Sequence, residues 1–431
     1  MMELTLSSLA LPAARDDASE VWRVSNTPLT PEEHQFFKDT ATHVGVTERF
    51  KDVLKTFPEA DGTPAGFKHV LTLDGQVLRV DLQRDISYDR NGLRRATEVL
   101  FSADSANPYE VASIAPLLAN LTCNPGIIYD LFINNETANV GRKFTTRDEV
   151  MGELGSILGP GADISVELNN PFDADFNRVL EEALKFREML TDYRMVIKVP
   201  HTGSVTASNV HELLEGDKKL TASYRDVSSE AGFHSHELAL KLHDAGFRVN
   251  YTLMFEPFQT QMALQAKPYF INTFLRQRMG HSQAIKGYLA AFRATGLQSY
   301  LVDLRTFLCE ADYFTKKELD TPLLDVLTFA EDLLVYRHFD DAEGSDGLDQ
   351  MRHNLRCLRN CNLPDTRLIV CSMDGPHNYP DIDKLMAGPE FRDMHDKLVI
   401  TAEPGYLARF TSTSQVVTYQ RRFMNAAAGN E

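Results

Sequence analysis

A lysine lies near the end of an apolar segment of the chain. Residues 194–200 read RMVIKVP, and three apolar side chains precede Lys198. Lysine is rarely fully buried unless it is paired, so its position in a predicted buried strand needs an explanation. A desolvated lysine has a lowered pKa, and its neutral amine can attack a carbonyl carbon to form a Schiff base. Lys198 is therefore a candidate nucleophile, although the same pattern is also typical of a strand-end lysine that reaches solvent or pairs with Glu167.

Short apolar segments alternate with longer helical segments from about residue 97 onward. This order is typical of parallel βαβ units, and eight strands are the number that closes a TIM barrel. An open doubly wound sheet is the alternative, but no strand is followed by the glycine-rich phosphate loop that would favour it. We therefore predict an α/β fold, a (β/α)8 TIM barrel. The predicted strands are 99–104, 118–124, 163–168, 194–199, 247–255, 269–274, 367–372 and 397–401.

The N-terminal part of the chain has a different pattern. Residues 29–57 combine a capping signal at Thr30 with helical apolar spacing, and residues 66–82 alternate around an Asp-Gly pair that is typical of a β-hairpin. We predict that residues 1–92 form an accessory α+β extension of helices plus a hairpin, and that residues 93–431 form the barrel.

Two connections between predicted strands are unusually long, at residues 200–233 and 275–366. Structureless loops of this length are uncommon in compact domains, so both are expected to contain helices, for example at 320–339. Because both follow the C-terminal ends of strands, they are expected to lie on the catalytic face of the barrel as lids or specificity elements.

Polar residues occur at the ends of most of the predicted strands, where the chain of a barrel enzyme meets its substrate. Each has a structural alternative, since Asp104 with Asn107 could cap a helix and Asn124 could belong to a turn. The agreement among seven strand ends favours a shared active site, in which a buried carboxylate with a raised pKa moves protons beside the lysine. The residues are Asp104, Thr122, Asn124, Glu167, Lys198, Asn250, Thr252, Asn272 and Ser372.

Composition excludes several classes of function. The net charge of −17 argues against non-specific binding to nucleic acid or an anionic membrane. The five cysteines fit neither a disulfide framework nor a zinc site, and the histidines of FHSHE (233–237) with His243 lack the further ligands of a metal site. The chain shows no signal peptide and no transmembrane segment, so a cytoplasmic location is expected, with no metal and no cofactor.

Residues 99–430 resemble the transaldolase family, whose members are Schiff-base-forming TIM-barrel enzymes. The order and type of six segments carry the resemblance, and residues 1 to about 92 lie outside it. The segments are LFSADSANPYEV, ANLTCNPGII, ISVEL, MVIKVPHTG, GFRVNYTLMFEPFQTQMALQA and YFINTFLRQR.

The resemblance implies a role for each matching residue. Lys198 would bind the ketose donor as a Schiff base, Asp104 would act as the acid and base at the C4 hydroxyl, and Glu167 with Thr252 would hold a water that relays protons. Asn124 and Asn250 would bind the hydroxyls of the dihydroxyacetone unit. The related fructose 6-phosphate aldolases have Gln where this chain has Glu167, which favours transfer over simple cleavage.

The chain departs from the family where the sugar phosphate is bound. One family Arg aligns with Gln277, which Arg276 and Arg278 flank, and a second aligns with Asp374. Two like charges ~4 Å apart cost on the order of 4 kcal/mol at an effective dielectric of ~20, so an aspartate there disfavours a phosphate. We therefore expect a non-phosphorylated or modified sugar, with Arg276, Arg278, Asn272 and Ser372 as further substrate-binding candidates.

Three classes of function remain open at the level of sequence. The first is a transaldolase-like transferase, the second is a Schiff-base aldolase without transfer, and the third is a non-catalytic carbohydrate-binding barrel. The expected partner is a small sugar or sugar derivative rather than nucleic acid or membrane, and the resemblance implies a homodimer by analogy.

Overall fold

The computed structural model describes residues 4–56, 67–89, 91, 93–159, 162–191 and 193–429. In its N-terminal part three helices accompany a small sheet whose strand order is β1-β3-β2, with β1 parallel and β2 antiparallel to β3. These elements are β1 (His43–Val46), β2 (Phe67–Asp74), β3 (Val77–Arg84), α1 (Ala18–Val21), α2 (Pro31–Thr40) and α3 (Glu48–Thr56).

The predicted cap and hairpin of this part are confirmed. The Thr30 hydroxyl accepts a hydrogen bond from the Glu33 N–H at 3.1 Å, and the Glu33 carboxylate accepts one from the Thr30 N–H at 2.9 Å. Gly75 takes a positive φ of 60° in the hairpin turn. Strand β1 was not predicted, because its four residues lie inside a stretch with helical apolar spacing; residues 57 and 66 of the predicted segments lie outside the described residues.

Eight parallel strands then close into a barrel in the order β10-β11-β4-β5-β6-β7-β8-β9, which confirms the predicted TIM barrel. Predicted and observed ends agree within one or two residues except at β8, which ends early because Leu253 adopts a φ of 57° that a strand cannot accommodate. The strands are β4 (Leu100–Asp104), β5 (Leu118–Thr122), β6 (Asp163–Glu167), β7 (Arg194–Pro200), β8 (Val249–Thr252), β9 (Phe270–Phe274), β10 (Arg367–Cys371) and β11 (Leu398–Ala402).

Helices follow the strands around the outside of the barrel, and a larger helical group follows β9. The α-helices are α4 (Pro108–Ile114), α5 (Pro125–Ile128), α6 (Arg147–Leu158), α7 (Phe176–Met189), α8 (Ser229–Asp244), α9 (Gln259–Gln265), α10 (Leu275–Thr295), α11 (Ser299–Glu310), α12 (Leu323–Tyr336), α13 (Asp349–Arg359), α14 (Asn378–Ala387), α15 (Pro404–Ala408) and α16 (Ser414–Ala427). A π-helical turn spans Tyr129–Ile133, and short 3₁₀ helices are Leu6–Leu9, Trp22–Val24, Ala115–Leu117, Val140–Arg142, Val210–Leu213, Lys316–Glu318, His395–Lys397 and Arg409–Thr411.

The two long insertions differ in their structure. The 275–366 insertion is helical as predicted, and α10, α11 and α12 share a hydrophobic core of their own. The expectation of helices in residues 200–233 is wrong for most of that segment, which holds one 3₁₀ turn before α8 begins at Ser229. Ion pairs with the helical insertion hold it instead, among them Lys219 with Asp312 at 3.0 Å.

Side chains alternate between the two faces of the barrel wall. Outward residues such as Ile197, Val199 and Tyr251 belong to the main core under the surrounding helices, so their neighbours along each strand point into the barrel. The inward positions near the C-terminal ends of the strands are largely polar. This alternation places the predicted polar strand ends in one barrel mouth.

The N-terminal part docks on the opposite end of the barrel. Ile86 is fully buried in the cluster that fills the barrel interior, together with Leu100, Ala119, Val196, Phe270, Ile369 and Val399. The Arg367 guanidinium donates to the Asp85 carboxylate at 3.2 Å, and Gln83 donates to Asp365 at 2.7 Å. Residues that follow β3 therefore supply the floor of the barrel, although the division of the chain near residue 92 stays a prediction.

The structure also describes the helices and cysteines that the sequence analysis considered for a membrane span and for disulfides. In the described part of the chain, no helix is long and apolar enough to cross a membrane. All five cysteines are described, and none forms a disulfide. Four of the cysteines are buried, so they contribute to packing.

A buried ion pair joins the first residues of β6 and β7. The Arg194 Nε lies 3.0 Å from the Asp163 Oδ1, and both side chains are completely shielded from solvent. Removal of one partner of a buried pair takes away an attraction that offsets the burial of the other charge, and this costs much more than loss of an exposed pair.

We expect Arg194→Met to lower the free energy of unfolding by about 3–5 kcal/mol in chemical denaturation, because the Asp163 charge would remain buried. The double variant with Asp163→Asn should lose less than the single variant. The matched control is Arg293→Met, which breaks an exposed pair with Glu331 and should cost under ~1 kcal/mol. A loss for Arg194→Met as small as that of the control would contradict the expectation.

Candidate active site

Lys198 points into the barrel from β7 and is almost fully buried, with 6% of its surface exposed. The strand register aligns it with Glu167 on β6 and Asn250 on β8. Its Nζ lies 3.0 Å from the Glu167 Oε2 and donates to the Cys123 carbonyl at 3.2 Å. The backbone pairing of three neighbouring strands therefore builds a lysine–carboxylate pair in the barrel mouth.

The charge state of Lys198 differs from the sequence-based expectation. Burial lowers its pKa, but the negative charges of Glu167 and Asp104 together outweigh burial, so the net shift raises the pKa of Lys198 above its usual value. The prediction that an apolar setting keeps the amine neutral is therefore wrong for the free protein. The resting group is an ammonium ion, which must give up a proton before it can attack a carbonyl.

Asp104 ends β4 and faces the same space as Lys198. Burial is the main reason that the pKa of this carboxyl rises to about 6, and the positive charge of Lys198 opposes the rise. The Glu403 carboxylate adds to it, because two neighbouring carboxylates disfavour each other's ionisation. Asp104 is thus poised to exchange a proton near neutral pH. The helix that follows is capped by Asn107, which accepts from the Tyr109 N–H at 3.0 Å.

Asn250 and Asn272 form a buried network at the side of the mouth. The Asn250 amide donates to the Ser165 hydroxyl at 3.1 Å, and the Asn272 amide donates to the Asn250 Oδ1 at 2.5 Å and to the Tyr251 carbonyl at 2.9 Å. These contacts fix the orientation of both side chains and leave part of their hydrogen-bonding capacity for a ligand. The substrate-binding roles of both residues stay predictions.

Three further predicted residues lie at the C-terminal ends of their strands. Thr252 ends β8 and is buried, with 2% exposure, and its carbonyl accepts from the His201 N–H. The Asn124 Oδ1 accepts from the Ile127 N–H at 2.9 Å and caps α5, so its amide N–H groups are what it can offer a substrate. Ser372 follows β10 with a φ of 53°, and its carbonyl accepts from the Arg276 N–H at 2.7 Å.

The two arginines that flank Gln277 have different environments. Arg276 lies at the mouth, where its guanidinium contacts the Glu403 carboxylate at 2.7 Å and the Met373 carbonyl at 3.2 Å. Arg278 is buried, with 3% exposure, and its guanidinium contacts the carboxylates of Glu256 and Asp349. The structure therefore brings Arg276 to the site and places Arg278 in an ion network that anchors the helical insertion.

A cleft of about 670 Å³ opens over Asp104 at the mouth. Its charged lining is mainly acidic and consists of Asp104, Glu110, Asp374 and Glu403 facing Arg276 and Arg409. Glu403 was missed in the sequence, although it directly follows β11 and the strand-end rule that found the other residues applies to it equally. The contact of Lys198 with the Cys123 carbonyl was not predicted, because every residue has a backbone carbonyl and the residue type therefore gives no indication of it.

His201 and His234 have partners outside this site. The His201 ring packs against the outward-facing Tyr251 at 4.5 Å, and burial lowers its pKa to about 4. The His234 ring of the FHSHE helix lies 2.7 Å from the Pro171 carbonyl. Within the described ranges, no group of three or more His, Cys, Asp or Glu side chains has the arrangement of a metal site.

No curated protein matches the chain at a significant level. Among solved structures, the carboxyl transferase domain of Rhizobium etli pyruvate carboxylase with 3-bromopyruvate aligns at 11% identity and a TM-score of 0.27. The alignment covers 56% of this chain and 48% of that one, under half of its length, and this similarity is too low to carry an argument.

A protein-family comparison is more informative. Residues 101–286 match the family described as Transaldolase/Fructose-6-phosphate aldolase. The matched range runs from β4 to α10 and contains Asp104, Glu167, Lys198 and Asn250. The chain is therefore similar to the transaldolase/fructose-6-phosphate aldolase family over these 186 of its 431 residues.

Proposed function

We propose that this chain transfers a dihydroxyacetone unit from a ketose donor to an aldehyde acceptor through a Schiff base on Lys198. The observation that carries the proposal is the buried pair of Lys198 and Glu167 at 3.0 Å, with Asp104 facing the same space at a pKa of about 6. The three groups supply a nucleophile, a partner that can accept its proton, and a second acid–base group.

In this mechanism the Lys198 ammonium first passes a proton to Glu167. The free amine attacks C2 of the ketose, and loss of water gives an iminium ion. Asp104 then removes the proton of the C4 hydroxyl while the C3–C4 bond breaks. The bonding electrons move toward the iminium nitrogen to form an enamine, and an aldehyde leaves.

The second half of the reaction reverses these steps with another aldehyde. The enamine carbon attacks the acceptor carbonyl, and protonated Asp104 returns its proton to the new alkoxide. Water then hydrolyses the iminium and releases the product, with Glu167 and Thr252 proposed to hold that water. The same carboxyl thus serves as base in one direction and as acid in the other, which a pKa near 6 favours.

Borohydride reduction should trap the iminium ion on Lys198. Incubation with a panel of phosphorylated and unphosphorylated ketoses, followed by peptide mass mapping, is expected to give a reduced adduct on the peptide that contains residues 194–200. Lys198→Met should abolish the adduct. Lys185→Met removes an exposed lysine of α7 and should leave the adduct unchanged. Absence of an adduct with every donor would refute both a transferase and a Schiff-base aldolase.

The ratio kcat/KM should depend on the ionisation of Asp104. Because its carboxylate form is the base and its pKa is about 6, kcat/KM should rise about tenfold per pH unit below that value and level off above it. Asp104→Asn should lower the rate by about 10²–10⁴-fold and remove this acidic limb. An acidic limb that persists unchanged in Asp104→Asn would assign the titration to another group.

We further propose that the transferred sugar lacks a phosphate at the position where the family binds one. The guanidinium of Arg276 already contacts Glu403, and the Asp374 carboxylate lines the same cleft. A phosphate group there would meet more negative than positive side chains, and such repulsion costs free energy even near the surface. A neutral sugar would instead find hydroxyl and carboxylate partners.

Asp374→Arg should shift the preference toward phosphorylated ketoses. Removal of a negative charge and addition of a guanidinium fork should raise kcat/KM for fructose 6-phosphate about tenfold or more relative to an unphosphorylated ketose. Asp381→Arg makes the same charge change on α14 outside the cleft lining and is the matched control. A wild-type enzyme that already prefers the phosphorylated ketose would contradict the proposal.

Transfer and simple cleavage differ in their need for an acceptor. With donor alone, a transferase should release one aldehyde per active site in a burst and then stall, since the enamine waits for an acceptor. Addition of a small aldehyde should restore turnover. Sustained release of dihydroxyacetone from donor alone would establish an aldolase instead, while the Lys198 adduct would remain in both cases.

A further inference from the structure

A second cleft lies at the opposite end of the barrel from Lys198. It measures about 760 Å³ and is lined by residues that precede β7, β8, β9 and β10 together with residues of α3 and the start of β2. The cleft therefore separates the N-terminal part of the chain from the floor of the barrel. Its volume lies within the range of about 300–1,000 Å³ that is typical of small-molecule sites.

Basic side chains converge on this cleft from four separate elements. Arg49 comes from α3, Arg187 from α7, Arg248 from the residue before β8, and Lys267 from the turn before β9. Two carboxylates, Asp52 and Asp365, also line the cleft, and Asp365 accepts a hydrogen bond from Gln83 at 2.7 Å. A local excess of positive charge is notable in a chain of net charge −17.

Arg248 is the member whose environment points most directly to a ligand. Its guanidinium lies over the Phe67 ring at 5.8 Å, and burial lowers its pKa to about 10. Among the described residues, no carboxylate lies within 4.0 Å of it, in contrast to the buried Arg194 and Arg278. Arg248 is partly exposed to the cleft, and its guanidinium N–H groups could donate charge-assisted hydrogen bonds to an anion there.

Arg187 is far from Arg248 in the sequence, but it lines the same cleft and has similar surroundings. Its guanidinium lies over the Phe247 ring at 4.5 Å, so both arginines make cation–π contacts. Two guanidinium groups together with Arg49 and Lys267 match the several oxygens of a phosphate group better than a single carboxylate.

We propose that this cleft binds a small phosphate-bearing molecule, which bridges the N-terminal part of the chain and the barrel floor. The site would be independent of the Schiff-base chemistry, since Lys198 and Asp104 lie at the other end of the strands. Aromatic residues of the lining, among them Tyr193 and Tyr269, offer surface for an organic group attached to the phosphate.

Titration calorimetry of the full chain with inorganic pyrophosphate and with adenosine diphosphate tests this site. Neither probe has a carbonyl that could react with Lys198, so the outcome does not depend on the proposed enzymatic function. We expect saturable binding that weakens as salt rises, with Arg248→Met raising Kd about tenfold or more. Tighter binding of adenosine diphosphate would indicate an organic phosphate, and equal binding would indicate inorganic phosphate.

Two further variants make the result decisive. Arg276→Met removes the arginine at the catalytic mouth and should leave Kd for pyrophosphate unchanged. Arg49→Met changes an exposed cleft residue and should weaken binding even if Arg248→Met fails to fold. The proposal is overturned by the absence of saturable binding up to millimolar probe, or by weakening in Arg276→Met with none in the cleft variants.

Discussion

The contact between Lys198 and Glu167 is the constraint on which the catalytic end of the barrel depends. Two ionisable groups are buried side by side at 3.0 Å, and their mutual attraction compensates for the loss of water around each. The pair exists because β6 and β7 run parallel in a register that sets these residues opposite each other. A shift of one residue in that register would turn one side chain outward and leave the other charge alone.

The barrel mouth contains more carboxylates than basic side chains. Arg276 is close to Glu403, Asp374 and Asp104. Each of these carboxylates raises the pKa of Arg276, so its guanidinium keeps its positive charge. The positive charge of Lys198 lowers the pKa of Asp104, whereas the negative charge of Glu403 raises it. In the proposed mechanism the two carboxyls have different functions, since Glu167 would accept the proton of the amine and Asp104 would exchange a proton with the sugar hydroxyl.

Much of the fold and of the site could be predicted because both follow strong local rules. The alternation of apolar runs and helical segments fixed eight strands, and the strand-end rule found Asp104, Glu167 and Lys198 together. The same rule applies to Glu403, which directly follows the eighth strand. The short strand β1 was missed because it lies inside a stretch with helical apolar spacing, and the segment before α8 was expected to be helical only because of its length.

Other features depend on tertiary contacts that no spacing reveals. Arg276 and Arg278 are two residues apart, yet one reaches the mouth and the other enters a network with Glu256 and Asp349. The charge of Lys198 likewise depends on how closely two carboxylates approach, and residue types alone supported the opposite expectation. The basic cleft at the barrel floor joins residues that are far apart in sequence, so it was not foreseen.

The closure of the barrel has a consequence for the order in which the chain is made. β4 pairs with β11, so the first barrel strand lacks its second neighbour until the last of the eight strands has been synthesised. The N-terminal part has its own hydrophobic core and leaves the ribosome before the barrel strands, and in the folded chain Ile86 packs with Leu100 of β4. It can therefore cover the apolar floor of the unfinished barrel while the later strands are still being added, the stage at which exposed strand edges are most prone to aggregate.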